Sequence, residues 1–163
     1  MSKNHPGESD IEMVPCHMGH AAVLATLHAD AFDSPWTERA FAELVVQISV
    51  SGWIACSAEP KGFILIRQAS DEAEILTLAV RKTARRSGIA SALVAHALAH
   101  AAKTGTRFCY LEVALDNVGA RAVYEMCGFE QSGHRPAYYR RGNQRVDALV
   151  MSRTLGEGGI LAP

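Results

Sequence analysis

The strongest constraint on the fold lies between residues 74 and 115. Two runs rich in β-branched and aromatic residues, Glu74–Val80 and Phe108–Leu115, flank a stretch of helical period. Within Gly88–Ala102, Ile89, Leu93 and Ala97 form one row beside Val94, Leu98 and Ala101. That spacing predicts a helix with one buried face. A helix linking two neighbouring strands of one sheet is a crossover, and crossovers usually join parallel strands. The rest of the chain must be arranged around that unit.

Upstream, Ile11–Val14 reads as a short strand and His17–Phe32 as a helix. Asp33-Ser34-Pro35-Trp36 breaks that helix, and Ser34 or Thr37 can cap a second one, with Phe41, Leu44 and Val45 on one face. Ser49-Val50-Ser51-Gly52 ends it. Trp53–Ser57, Gly62–Gln68 and Glu74–Val80, separated by turn-forming residues, predict three antiparallel strands. After Phe108–Leu115, Asn117 is a natural cap for a helix over Val118–Cys127, and Gly128 is its stop. Two further strands are expected near Glu130–Ser132 and Val146–Arg153. The order β-α-α-β-β-β-α-β-α-β-β predicts a single mixed α/β domain over residues 11–155. Its sheet is mostly antiparallel and flanked by helices, with one parallel strand-helix-strand crossover. Residues 1–10 and 156–163 read as a disordered and a loose tail.

A chain of 163 residues is one domain's worth and long enough for a real core. Sixteen Lys and Arg against seventeen Asp and Glu leave a net charge of −1. No bulk field draws the chain to nucleic acid or to an anionic membrane. No apolar run approaches the roughly 18 residues of a membrane span, and the start MSKNHPGESD has no apolar core. Cys16, Cys56, Cys109 and Cys127 show no CxxC spacing. With no secretion signal they are expected reduced, in a cytoplasmic protein.

The positive charge is local. Arg81, Lys82, Arg85 and Arg86 fall in one turn after Val80 and just before the helix at Gly88. A helix start offers unpaired N–H groups and the positive end of the dipole, and Gly88 lets backbone approach a ligand closely. Together these predict an anion site suited to a phosphate or pyrophosphate. The chain lacks G-x-x-x-x-G-K-[ST] and G-x-G-x-x-G, so mononucleotide and dinucleotide sites of those kinds lose support.

Arg85-x-x-Gly88-x-Ala90, after a strand and opening a helix, resembles the acetyl-CoA loop of the GNAT N-acetyltransferases. The string Leu111-Glu112-Val113, Asn117, Ala120, Tyr124-Glu125 and Gly128-Phe129 resembles the ribosomal-protein-alanine N-acetyltransferase (RimI) type within that family. So do His28–Phe32 with Pro35-Trp36-Thr37 and Phe41, and Tyr138-Tyr139 followed by Asp147–Met151. The pattern departs at Ala114 and Asp116, where many members carry Arg and Ser, and at Ala90, where Gly is commoner.

The resemblance implies the GNAT fold and acetyl-CoA as cosubstrate. By it the backbone of Arg86, Ser87, Gly88, Ile89, Ala90 and Ser91 cradles the CoA pyrophosphate, with Arg85 beside it. Leu78, Ala79 and Val80 pair with the pantetheine arm, and Asn117 touches CoA. Glu112 is the implied general base and Tyr124 the general acid. The implied acceptor is the α-amine of a protein or peptide N-terminus, the N-terminal alanine of a small-subunit ribosomal protein, acetylated directly in a ternary complex. Trp36, Phe41, Tyr138 and Tyr139 are candidates for lining the acceptor groove. Strand alternation puts Tyr110 and Glu112 on one face.

Two other readings stand beside this one: a GNAT enzyme acting on a small-molecule amine or a lysine side chain, and a non-catalytic acetyl-CoA sensor. His96 and His100 share a helix face but lack the H-E-x-x-H pattern, so no metal is expected. Arg135, Arg140, Arg141 and Arg145 form a second basic cluster, read as a solvated hairpin without direct nucleic-acid contact.

Overall fold

A computed structural model describes residues 10–156. Apart from Asp10 and Gly156, the two expected tails lie outside the described residues. The elements are β1 (Glu12–Pro15), α1 (Ala21–Ala31), α2 (Glu38–Val45), β2 (Val50–Cys56), β3 (Pro60–Ala69), β4 (Glu72–Val80), α3 (Ile89–Lys103), β5 (Phe108–Ala114), α4 (Val118–Met126), β6 (Glu130–Arg141) and β7 (Gln144–Thr154). The sheet order is β1-β2-β3-β4-β5-β7-β6. Every neighbouring pair is antiparallel except β4 and β5, which are parallel and joined through α3. The expected mixed sheet with one parallel crossover is the observed one.

The helices divide the sheet into two faces. Leu93, Val94, Ala97, Leu98 and Ala101 of α3 and Tyr124 of α4 bury Ile64, Ile66, Ile75, Leu111 and Val113 on one face. Leu24 and Leu27 of α1 and Phe41 of α2 cover Ile54, Phe63 and Leu65 on the other. Thr37, not Ser34, caps α2, its hydroxyl accepting from the Ala40 N–H at 3.1 Å. α1 and α2 pack on β2, β3 and β4, so among the described residues the second face of β5 and β7 carries no helix.

Two irregularities escape a local reading of the chain. On β4, Thr77 faces Leu65 and Ile75 faces Ile66, so Leu76 is an extra residue in the ladder. This bulge reverses the alternation. Ala73 and Ile75 join the α3 side, whereas Ala79 packs on the α1 side. The second irregularity is β6, which runs through Arg141 rather than ending near Ser132. Its ladder breaks between Gln131 and Gly133 and again between Arg135 and Tyr139. Gly133 and Pro136 mask it in the sequence, because both residues argue against a strand. β2 likewise starts at Val50, where a helix end was expected. Gly52 allows it: a Cβ there would stand 2.8 Å from the Ile64 carbonyl oxygen of β3.

One polar group is sealed into the α1–α2 core. His28 is 3% exposed, and its ring stacks on Phe32 at 4.3 Å and Trp36 at 5.0 Å. Its Nδ1 accepts the Trp36 N–H at 3.1 Å. That bond needs a neutral ring, and burial lowers the pKa to about 4. Between pH 6.5 and 4 the unfolded chain therefore holds a proton that the folded chain does not. Stability is at its full value above pH 6.5 and falls as pH drops towards 4, by about 3 kcal/mol in all from this group. Denaturant melts across that window should display the slope, and His28→Phe should flatten it.

Candidate active site

The turn after β4 starts the site. Lys82–Ala84 is a single 3-10 turn, Arg86 takes a left-handed φ of 61°, and Gly88 follows at φ 79°. No side chain caps α3. Its first N–H groups thus face the turn without side-chain acceptors, at the positive end of a 15-residue helix. The cations are not equivalent. Arg81 lies 3.6 Å from Glu59, which Lys61 also holds at 3.0 Å. Arg85 Nε donates to the Val80 carbonyl at 3.3 Å. The Lys82 amide donates to Asp30 at 2.7 Å, fixing the turn to α1. Ser87 folds back onto the Ala84 carbonyl. Lys82 and Arg86 have exposed side chains with no ion-pair partner among the described residues.

The sheet then opens. β4 and β5 pair from Glu72↔Phe108 to Ile75↔Leu111 and no further. Beyond that point Leu78, Ala79 and Val80 pair with Ile64, Phe63 and Gly62 of β3 on one side only. Their other edge presents unpaired backbone groups to the gap. Gly62 permits the tight packing behind it, since a Cβ there would lie 2.6 Å from the Ala79 carbonyl oxygen. The side chain of Ile89 is buried in the core, Ala90 and Ser91 are half-buried, and their backbone starts α3. Asn117 accepts the Ala120 N–H at 3.2 Å and so caps α4.

Glu112 and Tyr124 lie on opposite faces of the sheet. Leu111 and Val113 bury into the α3 side, so Glu112 and Tyr110 project from the helix-free face, as alternation predicts. There they line an open cavity of about 420 Å³ with Glu72, Glu74, Arg67 and Arg135. Arg135 Nε lies 3.0 Å from Glu112 Oε1. The same carboxylate raises the pKa of the nearby Tyr138 phenol. Burial and then Glu112 push Tyr139 up to about 12. Tyr124 sits in the α3-side core, 6% exposed and edge-on to Phe129 at 5.9 Å. Burial, then Tyr139 and Cys127, drive its phenol well above the usual tyrosine value. It holds its proton at any working pH.

The other candidates separate. Tyr138 is 47% exposed and Tyr139 half-buried on β6. Trp36 is 37% exposed on the α1–α2 connection. Phe41 is fully buried and edge-on to Phe63, so it supports the wall and does not line the surface. The second basic cluster is more than a solvated hairpin. Arg135 takes Glu112, Arg141 pairs with Asp116 at 2.6 Å, and Arg145 bonds to the Ala137 carbonyl. Arg135 and Glu74 escaped the sequence reading because no local spacing links them to Glu112. His96 and His100 meet the ring of Trp53 at 5.1 and 4.9 Å. Among the described residues no three His, Cys, Asp or Glu converge as a metal site would require.

Residues 21–129 match the acetyltransferase (GNAT) family. The chain belongs to this family. It is 30% identical over 118 residues to the [ribosomal protein bS18]-alanine N-acetyltransferase of Escherichia coli K12, covering 72% of this chain and 80% of that one. The crystal structure of the E. coli ribosomal-protein-S18-alanine N-acetyltransferase superposes with a TM-score of 0.84, at 24% identity over 93% of this chain and all of that one. Arabidopsis thaliana NAA60 in complex with acetyl-CoA superposes at 0.80, with 22% identity over 90% of this chain and 99% of that one. This GNAT chain is therefore an N-acetyltransferase with acetyl-CoA as cosubstrate. The site fits that group: an uncapped helix start, unpaired cations and a free strand edge adjoin one another. Among the described residues no helix is long and apolar enough to cross a membrane.

Because Arg81 already has a carboxylate partner and Arg86 has none, their loss should differ. Arg86→Ala should raise the acetyl-CoA Kd about tenfold or more at low salt, and Arg81→Ala about threefold or less. Titration calorimetry on the two variants checks the order.

Proposed function

We propose that this GNAT enzyme acetylates the α-amine of a protein N-terminus, with the N-terminal alanine of a small-subunit ribosomal protein as the acceptor. The observation that carries the reading is the placement of Glu112 in an open cavity where the β4–β5 pairing ends, with Tyr124 in the α3-side core on the other face of the sheet. The 30% identity to an enzyme named for that acceptor supports the choice of substrate.

The cofactor-side residues have defined tasks. The backbone of Arg86–Ser91, with the Arg85 and Arg86 charges, holds the phosphates, and the free edge of Leu78–Val80 aligns the arm. Asn117 keeps α4 in place beside it. Bound acetyl-CoA supplies an activated thioester carbonyl.

The acceptor-side residues manage protons. An α-amine has a pKa of about 7.8, so a useful fraction is already neutral near pH 7. A lysine at about 10.4 carries an extra cost of about 3.5 kcal/mol. Glu112 is suited to the first task, taking the proton directly or through a water as the amine attacks. Tyr124 carries on Oη the proton that a leaving thiolate requires. Direct transfer fits the cysteines. Burial pushes Cys16 and Cys109 up to about 12 and raises Cys127 and Cys56 as well. None is held as the thiolate that an acyl carrier needs. The exposed faces of Trp36, Tyr138 and Tyr139 stand ready for the acceptor.

Glu112→Gln should lower kcat/KM for an Ala-starting peptide about a hundredfold or more, and Tyr124→Phe about tenfold or more, each with acetyl-CoA affinity within about twofold. Full activity in both variants would leave a cofactor sensor instead. A steady-state panel of Ala-starting peptides, lysine peptides and small amines tests the acceptor class. Turnover of small amines without turnover of peptides would overturn the assignment.

A further inference from the structure

β6 does not pass Glu112 as a regular strand. Its ladder with β7 holds at Arg135↔Ala148 and resumes only at Tyr139↔Val146. Three residues, Pro136, Ala137 and Tyr138, bulge out between those pairs. Ala137 takes a φ of 51°, a left-handed conformation that costs a residue with a Cβ. Such a backbone persists only where its surroundings impose it.

The imposing group is Asp147, which stands at the level of the break. Its Oδ1 accepts the Ala137 N–H at 2.7 Å, and its Oδ2 lies 2.9 Å from His134 Nε2. The Ala137 amide and then His134 hold this carboxyl below its usual pKa range, so it stays an anion. Arg145 fastens the other side of the same residue, bonding to the Ala137 carbonyl at 3.3 Å. Arg135 and Tyr138 emerge on either side of Ala137. Arg135 stands 3.0 Å from one Glu112 oxygen and its guanidinium lies over the Tyr138 ring at 5.3 Å, while the Tyr138 phenol feels the same carboxylate. A regular ladder would send residues 135 and 138 to opposite faces, because an odd separation inverts side-chain direction. The bulge is what delivers both to Glu112.

We infer that Asp147 is a positioning residue for acetyl transfer: by clasping Ala137 it shapes the β6 bulge so that Arg135 and Tyr138 fix the orientation of Glu112. This rests on the reading of Glu112 as the base. Asp147 itself touches neither substrate nor reacting atoms. It acts through the bulge, and Glu112 is held in the cavity before the acceptor amine arrives. Preorganisation of this kind speeds the step that uses the oriented group and leaves remote binding unchanged.

The test is a double-mutant cycle between positions 147 and 112, measured with an Ala-starting peptide. Asp147→Ala should lower kcat/KM about tenfold in the wild-type background, mostly in kcat, with acetyl-CoA affinity within about twofold. Asp147→Asn keeps an oxygen for the Ala137 N–H and should recover most of that loss. In a Glu112→Gln background Asp147→Ala should cost less than about twofold, since the oriented base is gone. Should Asp147→Ala fail to fold, Arg145→Ala removes the second, solvent-exposed tie and should give a smaller loss that also vanishes with Glu112→Gln. Equal losses from position 147 in both backgrounds, with Glu112→Gln itself impaired, would overturn the positioning role alone. A fully active Glu112→Gln would overturn the base and the positioning role together.

Discussion

Everything at the site depends on where the backbone pairing between β4 and β5 stops. The two strands are parallel, joined through α3, and share hydrogen bonds only as far as Ile75 and Leu111. Below that point they are one continuous sheet with a core on the α3 face. Above it β4 stays with β3 and β5 stays with β7. Unpaired backbone in a protein needs a partner. The gap therefore leaves a row of groups available to a ligand at the level where α3 begins and Glu112 projects. One geometric event supplies a slot, an anion site at its mouth and a carboxylate at its head.

The bulge at Leu76 belongs to the same event. It twists β4 and reverses its facing, which puts Ala79 on the α1 side and leaves Leu78 and Val80 packed towards α3. Without the reversal, β4 would continue the alternation set by Ala73 and Ile75 and run on alongside β5. The bulge also buries the Thr77 hydroxyl without a protein partner, a cost that a regular strand would avoid. Irregular backbone occurs here and at Ala137, on two of the strands that line the cavity.

What the amino-acid order made legible follows from how local each signal is. The periods of Ile89, Leu93 and Ala97, the cap at Asn117 and the stop at Gly128 depend on neighbours within one or two turns, and they were readable. Strand alternation puts Tyr110 and Glu112 on one face without saying which, and the roles given to Glu112 and Tyr124 come from their motif's resemblance to a known family. Phe41 was open between core and groove, since a buried face and a ligand face look alike along a helix. The bulges on β4 and β6 were invisible: each depends on the register of a partner strand. The contacts of Arg135 and Tyr138 with Glu112 were hidden for the same reason. So was the pairing of Arg81 with Glu59, which reduced a run of four apparently equal cations to an unequal set.

The two ends of the site solve opposite electrostatic problems. At the cofactor end the negative charge arrives with the ligand, so the protein offers fixed dipoles and exposed cations with little internal pairing. Arg86 has no ion-pair partner among the described residues, which fits the phosphate-binding role proposed for it. At the acceptor end the charge belongs to the protein. A lone carboxylate in a cavity beside Glu72 and Glu74 would repel its neighbours and swing among rotamers. Arg135 and Tyr138 give Glu112 a single orientation at the cost of occupying it. Under the role proposed for Glu112, an arriving ammonium meets a carboxylate already aimed, and its charge can take the place of Arg135, whose side chain is 55% exposed. Exposure keeps that exchange cheap, because a solvent-screened ion pair is worth little to break. The pairing that orients the base is thus weak by design of the fold, and the rigidity resides one layer further out, in the backbone held by Asp147.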